Sequence, residues 1–241
     1  SVVSALNLKS KPYIDMTLQV LEKFGINVVN DNYRVFKIEG NQKYNSAVFE
    51  VESDWSGGSF LLVAGAVNGD VTVEGLRTDS RQSDKTILTA LDRAGADISI
   101  SENSVRIKRS VLRSFEFDAS ESPDLFPPLV SLAAYCKGVT GIKGVSRLIH
   151  KESNRALALL EEFRKMNVKV EIKGDYMLIT GGKVKGTRVT SHNDHRIAMA
   201  VAVAGLRADG NIIIEDPQCV AKSYPDFFDD VKALGAVLMF S

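Results

Sequence analysis

Three stretches of this chain are apolar on nearly every face of a helix: "DWSGGSFLLVAGAV" from Asp54, "PDLFPPLVSLAAYC" from Pro123 and "NDHRIAMAVAVAGL" from Asn193. A helix with no polar face belongs inside a core, so a fold for this chain must bury all three. Each begins at an aspartate, Asp54, Asp124 or Asp194, a residue suited to accept from the free N–H groups of a first helical turn. Pro127 and Pro128 fall in or just past the first turn of the second stretch, where a missing N–H costs least. The aspartates recur 70 residues apart, twice over, which is the mark of an internally repeated architecture.

The residues after each aspartate are alike as well. A glycine-containing turn and a short strand come first: "NGDVTVEG" (68–75), "KGVTGIKG" (137–144) and "DGNIIIED" (209–216). A polar loop then leads into an amphipathic helix: "QSDKTILTALDRAG", "KESNRALALLEEFRKMN" and "SYPDFFDDVKALG". In the middle one Leu159, Leu160, Phe163 and Met166 form the apolar stripe, and Lys151, Glu152 and Arg155 crowd its start. Closing strands follow: "ADISIS" with "SVRIK", "VKVEIK" with "YMLIT", and finally "AVLMF". Alternating segments, "VFEVES" (48–53) and "SFEFDA" (114–119), read as strands opening two of the units. The expected class is α/β (α+β), a β-α-β-α-β-β unit present three times with the last cut short. Residues 1–52, with the loop and helix of "KSKPYIDMTLQVLEKFGINVVN" and the strand "YRVFKIEG", read as the end of a further unit. The expected boundary is at 52–54, with 53–241 as the three-repeat domain and a chain that starts in the middle of a unit.

With 241 residues, 44 % of them hydrophobic, the chain can fill a large core. Lys plus Arg and Asp plus Glu each number 30, so no global field favours nucleic acid or an anionic membrane, although a local basic cluster is allowed. No apolar run has membrane-spanning length, and "SVVSALNLKSKPY" lacks the pattern of a signal peptide. Two cysteines and three histidines show neither a disulfide framework nor zinc spacing. A reducing cytoplasm is expected.

If the units are equivalent, their buried-helix starts point to one region, where free N–H groups and partial positive charge favour an anion. The loops entering the amphipathic helices add Lys11, Lys151, Arg155 and Lys222, and the third buried helix adds Arg196. Five cations there suit a ligand carrying phosphate, carboxylate or both. Asp124 and Glu152 sit among them as general acid or base candidates. Plainer readings compete. Asp124 and Asp194 can be simple caps, Glu152 and Arg155 a solvated pair at i, i+3, and Lys222 a surface lysine. His192 and His195 read as structural, Cys136 as inert core, and Trp55 as packing at the boundary. Recurrence of these residues at equivalent places in the repeat favours a site.

"SKPYID" (10–15), "PD" (123–124), "KESNR" (151–155), "NDHRIAMA" (193–200) and "DPQCVAKSYPDFF" (216–228) stand in an order and spacing that resembles the EPSP synthase (3-phosphoshikimate 1-carboxyvinyltransferase) family, over the whole chain. The resemblance implies the enolpyruvyl transferase fold, two domains of three βαβαββ units closing like a clamp, with this chain as the C-terminal portion. It implies transfer of the enolpyruvyl group of phosphoenolpyruvate to the 5-hydroxyl of shikimate 3-phosphate, without metal or organic cofactor, in a cytoplasmic monomer. Carried over residue by residue, Asp124 handles the shikimate hydroxyl proton and Glu152 acts at the methylene carbon. Ser10 and Lys151 are shikimate 3-phosphate ligands, with Tyr13 nearby. Arg155, Arg196 and Lys222 hold phosphoenolpyruvate, Lys222 also helping to protonate the leaving phosphate.

Two positions depart from the family pattern. Arg147 stands where many members have asparagine, and Ile149 where many have a basic residue, so the shikimate-phosphate grip is expected to differ in detail. The resemblance also puts further ligands upstream of Ser1, and the isolated polypeptide is expected to fold without turning over. The related UDP-N-acetylglucosamine enolpyruvyl transferases share fold and donor, but "KESNR" and "NDHR" favour the shikimate enzymes. A non-catalytic phosphate-binding repeat module, for RNA ends for instance, is disfavoured by zero net charge and by the lack of interleaved aromatic and basic residues.

Overall fold

The computed structural model describes residues 1–239. The chain opens with strand β1 (Val2–Ser4), helix α1 (Lys11–Lys23) and strands β2 (Val28–Asp31) and β3 (Val35–Ile38), which form an antiparallel sheet ordered β1-β3-β2. Helix α2 (Trp55–Asn68) starts the first repeat and is followed by β4 (Asp70–Glu74), α3 (Ile87–Arg93), β5 (Asp97–Ile100) and β6 (Ser104–Lys108). The second repeat is complete: β7 (Glu116–Asp118), α4 (Phe126–Ala133), β8 (Val139–Lys143), α5 (Arg155–Lys165), β9 (Lys169–Lys173) and β10 (Tyr176–Thr180). The third runs β11 (Arg188–Thr190), α6 (His195–Gly205), β12 (Ile213–Glu215) and α7 (Phe227–Ala233).

The three apolar helices are the centre of the molecule, as the sequence requires. Ser131 of α4 donates to the Ala200 carbonyl of α6 at 2.8 Å, and Tyr135 just beyond α4 to that of Ala204 at 2.5 Å, both across 69 residues. The pairing advances in the same direction along both segments, so α4 and α6 lie parallel. Asn68, at the end of α2, donates to the Leu206 carbonyl across 138 residues, twice that offset, and places α2 in the same bundle. The sheets β4-β6-β5, β7-β8-β10-β9 and β11-β12 surround this bundle. Gly65 of α2 makes one such contact possible, since a Cβ there would lie 2.6 Å from Ile107 of β6. In the second repeat β7 pairs parallel with β8, while β8, β10 and β9 are antiparallel, and β11 again pairs parallel with β12.

Two expected strands are missing. Residues 48–53 pair with no strand among the described residues, with Val48 94 % and Val51 83 % exposed. Alternation makes a strand only when a sheet edge and a buried face receive it. At the other end 236–239 are likewise unpaired, with Val237 and Met239 exposed, and Phe240 of "AVLMF" lies outside the described residues. In addition, β1 is not among the strands expected from the sequence; it adds to the free edge of β3.

Candidate active site

Asp124 is not a helix cap. It sits inside a one-turn 3-10 segment, Pro123–Leu125, ahead of α4, and its side chain makes no capping bond. Asp54 and Asp194 do cap, the first accepting from the N–H groups of Ser56 and Gly57 and the second from that of Arg196. The turn leaves the Asp124 carboxylate free to meet three cations: Arg155 Nη1 at 2.8 Å, Lys151 Nζ at 3.0 Å and Arg196 Nη2 at 3.5 Å. Burial raises the proton affinity of this carboxyl, but Arg196, Lys151 and Arg155 outweigh it and bring the pKa down to about 2.

Helix α5 begins later than the sequence suggests. Asn154 caps it, Arg155 is its first residue, and Lys151, Glu152 and Ser153 form the bend before it. Asn154 receives the cap because its oxygen accepts from the Leu157 N–H, a bond that lysine and glutamate do not supply as well. The bend carries Lys151 and Glu152 over Asp124 instead of along the helix.

Arg155 is fully buried and is the hub of the cluster. Its Nε donates to Asp194 Oδ2 at 2.9 Å, Nη1 to Asp124 Oδ1 at 2.8 Å, and Nη2 to Glu152 Oε2 and, at 3.2 Å, to Asp194 Oδ1. One guanidinium thus joins the second repeat's helix entrance to the third repeat's cap, and its planar fork suits such bidentate pairing. Burial works against the charge on Asp194, yet the Arg155 bonds keep its carboxyl below the ordinary range. Ser153 Oγ donates to Asp194 Oδ2 at 3.0 Å. In this arrangement Arg155 faces three carboxylates rather than open solvent. Glu152 is the solvent-reaching member, with 39 % of its side chain exposed.

The other expected residues are distributed around this hub. Lys222 Nζ donates to the carbonyl of Asn193 at 2.7 Å and to its Oδ1 at 3.2 Å, next to the cap Asp194. Tyr13 lies within the field of Asp84, Asp124 and Arg196; burial and the carboxylates push its hydroxyl pKa upward, so it stays a neutral donor. Ser10, with a left-handed φ of 54°, accepts from Arg147 Nη2 at 2.8 Å, while Arg147 Nε donates to the Ser120 carbonyl at 3.1 Å. The departing residue Arg147 therefore ties the segment carrying Ser10 to the loop before Asp124. Lys11 does not join: its ammonium lies over the Tyr33 ring, 5.1 Å from the centroid. Ile149 is half exposed.

One group here is not singled out by the sequence, Asp84, and another, Asp194, does more than the sequence reading gives it. Asp194 carries the Arg155 pair in addition to its cap. Asp84 is buried, accepts from Ser56 Oγ and, among the described residues, leaves Oδ1 unpartnered; burial raises its pKa to about 6. His195, at the start of α6, is buried with Nδ1 unpartnered among the described residues, and burial with the neighbouring Arg196 favours its neutral form. The 70-residue period alone points to Asp194; nothing local marks Asp84. Cys136 is inert as expected, its thiol pushed up to about 12 by burial. Trp55 is fully buried and donates to the Arg77 carbonyl.

A helical bundle ringed by βαβαββ sheets, with charged side chains gathered where the bundle helices begin, is the architecture of the enolpyruvyl transferases. A structure of EPSP synthase from Acinetobacter baumannii superposes with a TM-score of 0.85 at 27 % identity, covering 98 % of this chain and 57 % of that one. The enolpyruvyl transferase NikO from Streptomyces tendae shares the fold, with a TM-score of 0.75 at 20 % identity over 98 % of this chain and 56 % of that one. Within this class the chain belongs to the EPSP synthase (3-phosphoshikimate 1-carboxyvinyltransferase) family, whose sequence model matches residues 2–231. Proteins named 3-phosphoshikimate 1-carboxyvinyltransferase are 41 % identical over 237 residues in Clostridium botulinum (strain Alaska E43 / Type E3) and 43 % over 230 in Clostridium acetobutylicum. These alignments cover 97 % and 95 % of this chain but 55 % and 53 % of those proteins, so the chain spans about half the length of the curated relatives it matches. No helix among the described residues is long and apolar enough to cross a membrane.

Proposed function

We propose that this chain supplies one side of an active site that transfers the enolpyruvyl group of phosphoenolpyruvate to the 5-hydroxyl of shikimate 3-phosphate, releasing phosphate. The observation that carries this reading is the Asp124 carboxylate held between Lys151, Arg155 and Arg196 beside the exposed Glu152. Two polyanionic substrates are matched by three cations that already have carboxylate partners. When a substrate phosphate takes Lys151 and a substrate carboxylate takes Arg196 and Arg155, Asp124 loses the charges that depress its pKa and becomes a stronger base. The same exchange releases Glu152 from Arg155.

In the proposed chemistry Asp124 accepts the 5-hydroxyl proton as that oxygen attacks C2 of phosphoenolpyruvate. Glu152 delivers a proton to the methylene carbon, giving a tetrahedral intermediate. Glu152 then takes a proton back from that carbon as the C2–O bond to phosphate breaks, and Lys222 protonates the leaving oxygen. Ser10, Lys151 and Tyr13 hold shikimate 3-phosphate, and Arg147 fixes Ser10. The proton left on Asp124 returns through water to Lys222, which closes the cycle.

The domain reading goes with this proposal. Residues 1–52, with their own sheet, belong to the neighbouring half of the clamp; the backbone N–H of Lys11 donates to Glu121 Oε2 at 2.9 Å, and Arg147 donates to Ser10, across the junction. A cytoplasmic, monomeric protein is part of the same reading; two free, buried cysteines support a reducing compartment. The test is phosphate release and product formation from both substrates by a full-length protein that includes this chain, with UDP-N-acetylglucosamine as alternative acceptor. Turnover with shikimate 3-phosphate only is expected; turnover with the nucleotide sugar, or with neither acceptor, overturns the reading.

A further inference from the structure

Helix α5 carries a second buried charge that the proposed chemistry does not use. Glu162 stands seven residues after Arg155, two turns along the same face, among the core residues Leu159, Phe163 and Met166. Its carboxylate is fully buried and fully engaged. Oε1 meets His192 Nε2 at 2.7 Å, Oε2 accepts from the Thr190 N–H at 3.1 Å, and Lys165 Nζ lies 2.8 and 2.9 Å from the two oxygens. Burial disfavours the charge, but Lys165, His192 and Thr190 together hold the carboxyl below its ordinary range.

What Glu162 grips is the turn from which the site hangs. His192 and Asn193 have left-handed φ values of 51° and 54°, a region histidine and asparagine enter more readily than most residues, and their N–H groups donate to Thr190 Oγ1 and Ser191 Oγ, so the turn is a defined shape. From this turn Asn193 accepts from Lys222 through both oxygens, and Asp194 accepts from Arg155 and Ser153. One helix thus clasps the segment at both ends, by Arg155 on the site side and by Glu162 on the far side. Glu161, Glu162 and His192 lie close enough together to suggest a cation site, but the Lys165 ammonium already binds both Glu162 oxygens and fills that need.

We propose that Glu162 is a positioning residue for the phosphoenolpyruvate half of the site, holding the 190–193 turn in the shape that presents Asn193 to Lys222 and Asp194 to Arg155. The inference rests on the function proposed above. The Asp124–Lys151 contact does not itself pass through this turn, so the shikimate 3-phosphate side is linked to it only at second hand, through Arg155 and Arg196.

The experiment compares Glu162→Gln and His192→Ala with the parent in a full-length protein that includes this chain, by steady-state kinetics in each substrate and by amide hydrogen exchange. Small misplacements of binding groups cost up to about 100-fold, so the phosphoenolpyruvate KM is expected to rise about 10-fold or more in Glu162→Gln. The shikimate 3-phosphate KM stays within about twofold, which a general loss of structure would not spare. His192→Ala, which keeps the Lys165 and Thr190 bonds, shows a smaller rise of the same kind and decides the matter if Glu162→Gln fails to fold. Exchange at residues 190–194 quickens in both variants while that of α2 does not, a readout independent of turnover. If the parent is inactive, the functional reading fails and exchange alone judges the positioning role. Equal rises in both KM values, unchanged phosphoenolpyruvate KM, or unchanged exchange at 190–194 overturns it.

Discussion

The entrances to α3 and α5 stand at equivalent places in two repeats, one a 3-10 turn (Ser83–Thr86) and the other a bend, and they treat charge in opposite ways. In the second repeat Arg155 turns inward to three carboxylates. Its counterpart in the first repeat, Lys85, donates to the backbone carbonyls of Thr78 and Ser80 and leaves the interior to Asp84, whose partner is only a serine hydroxyl. A buried carboxyl without a cation is held toward neutrality, with a pKa of about 6, whereas Asp124 among three cations is held ionised near 2. The repeat therefore fixes where polar groups stand, and the local balance of burial against opposite charge decides what they can do.

The strongest way to break this comparison is chemical. Asp124→Asn keeps shape and hydrogen bonding but cannot accept a proton, so in a full-length protein that includes this chain kcat should fall about 10²- to 10⁴-fold, with far smaller changes in either KM. The corresponding Asp84→Asn, which removes a group already largely neutral at mild acidity, should leave kcat near that of the parent. If Asp124→Asn altered affinity alone, Asp124 would be a ligand rather than an acid–base group.

Next comes stability. Removing the guanidinium in Arg155→Met strands Asp194 in the core and deprives Asp124 and Glu152 of their shared partner. Breaking a buried pair on one side costs about 3–5 kcal/mol, measurable by urea unfolding. Lys85→Met loses only bonds to carbonyls and should cost much less. Comparable losses for both would mean that the two entrances are energetically alike.

Much of this is legible in the order of the amino acids. The aspartates at 54, 124 and 194 and the fully apolar helices after them announce the repeat and its core, because burial on every face leaves a plain pattern. The gathering of Asp124, Glu152, Lys151, Arg155 and Arg196 follows from that repeat. Other features are not legible, for physical reasons. Alternation in 48–53 has the signature of a strand, but pairing is supplied by a neighbour the segment itself does not encode. Asp124 looks like a cap and proves to lie within a tight turn, since Pro123 and Leu125 fold the chain one step earlier. Glu162 and Asp84 are charged residues whose burial depends on partners 28 or more residues away, Thr190 and His192 for one and Ser56 for the other.

The pH dependence of stability sharpens the contrast because the two aspartates act with opposite sign. Asp124 has a folded pKa of about 2, below an unfolded value of about 3.9. Its contribution, about 2–3 kcal/mol, is present above pH 4 and is lost as the pH falls toward 2. Asp84, with a folded pKa of about 6, is raised above the same unfolded value. Its contribution, of similar size, is full below pH 4 and is lost as the pH rises through 6. Unfolding followed by circular dichroism should show Asp84→Asn flattening the profile between pH 4 and 6, and Asp124→Asn flattening it between 2 and 4. A parent profile with no slope between pH 4 and 6 would place Asp84 in a more polar setting than its buried, unpartnered oxygen indicates.

The smallest expected effect separates a cap from a cap that also holds a charge. Asp54 and Asp194 both bond the first N–H groups of a bundle helix, but among the described residues Asp54 has no cation within salt-bridge distance, whereas Asp194 carries Arg155. Asp54→Ala should therefore cost only the cap, about 1 kcal/mol. Asp194→Ala loses its cap and leaves a buried guanidinium short of a partner, so its cost belongs with the class of about 3–5 kcal/mol. Because Arg155 is shared, Arg155→Met combined with Asp194→Ala should cost less than the sum of the two, while Arg155→Met combined with Asp54→Ala should be additive. Additivity in both double variants would show that the two aspartates differ in position alone and that the charge hub contributes nothing of its own.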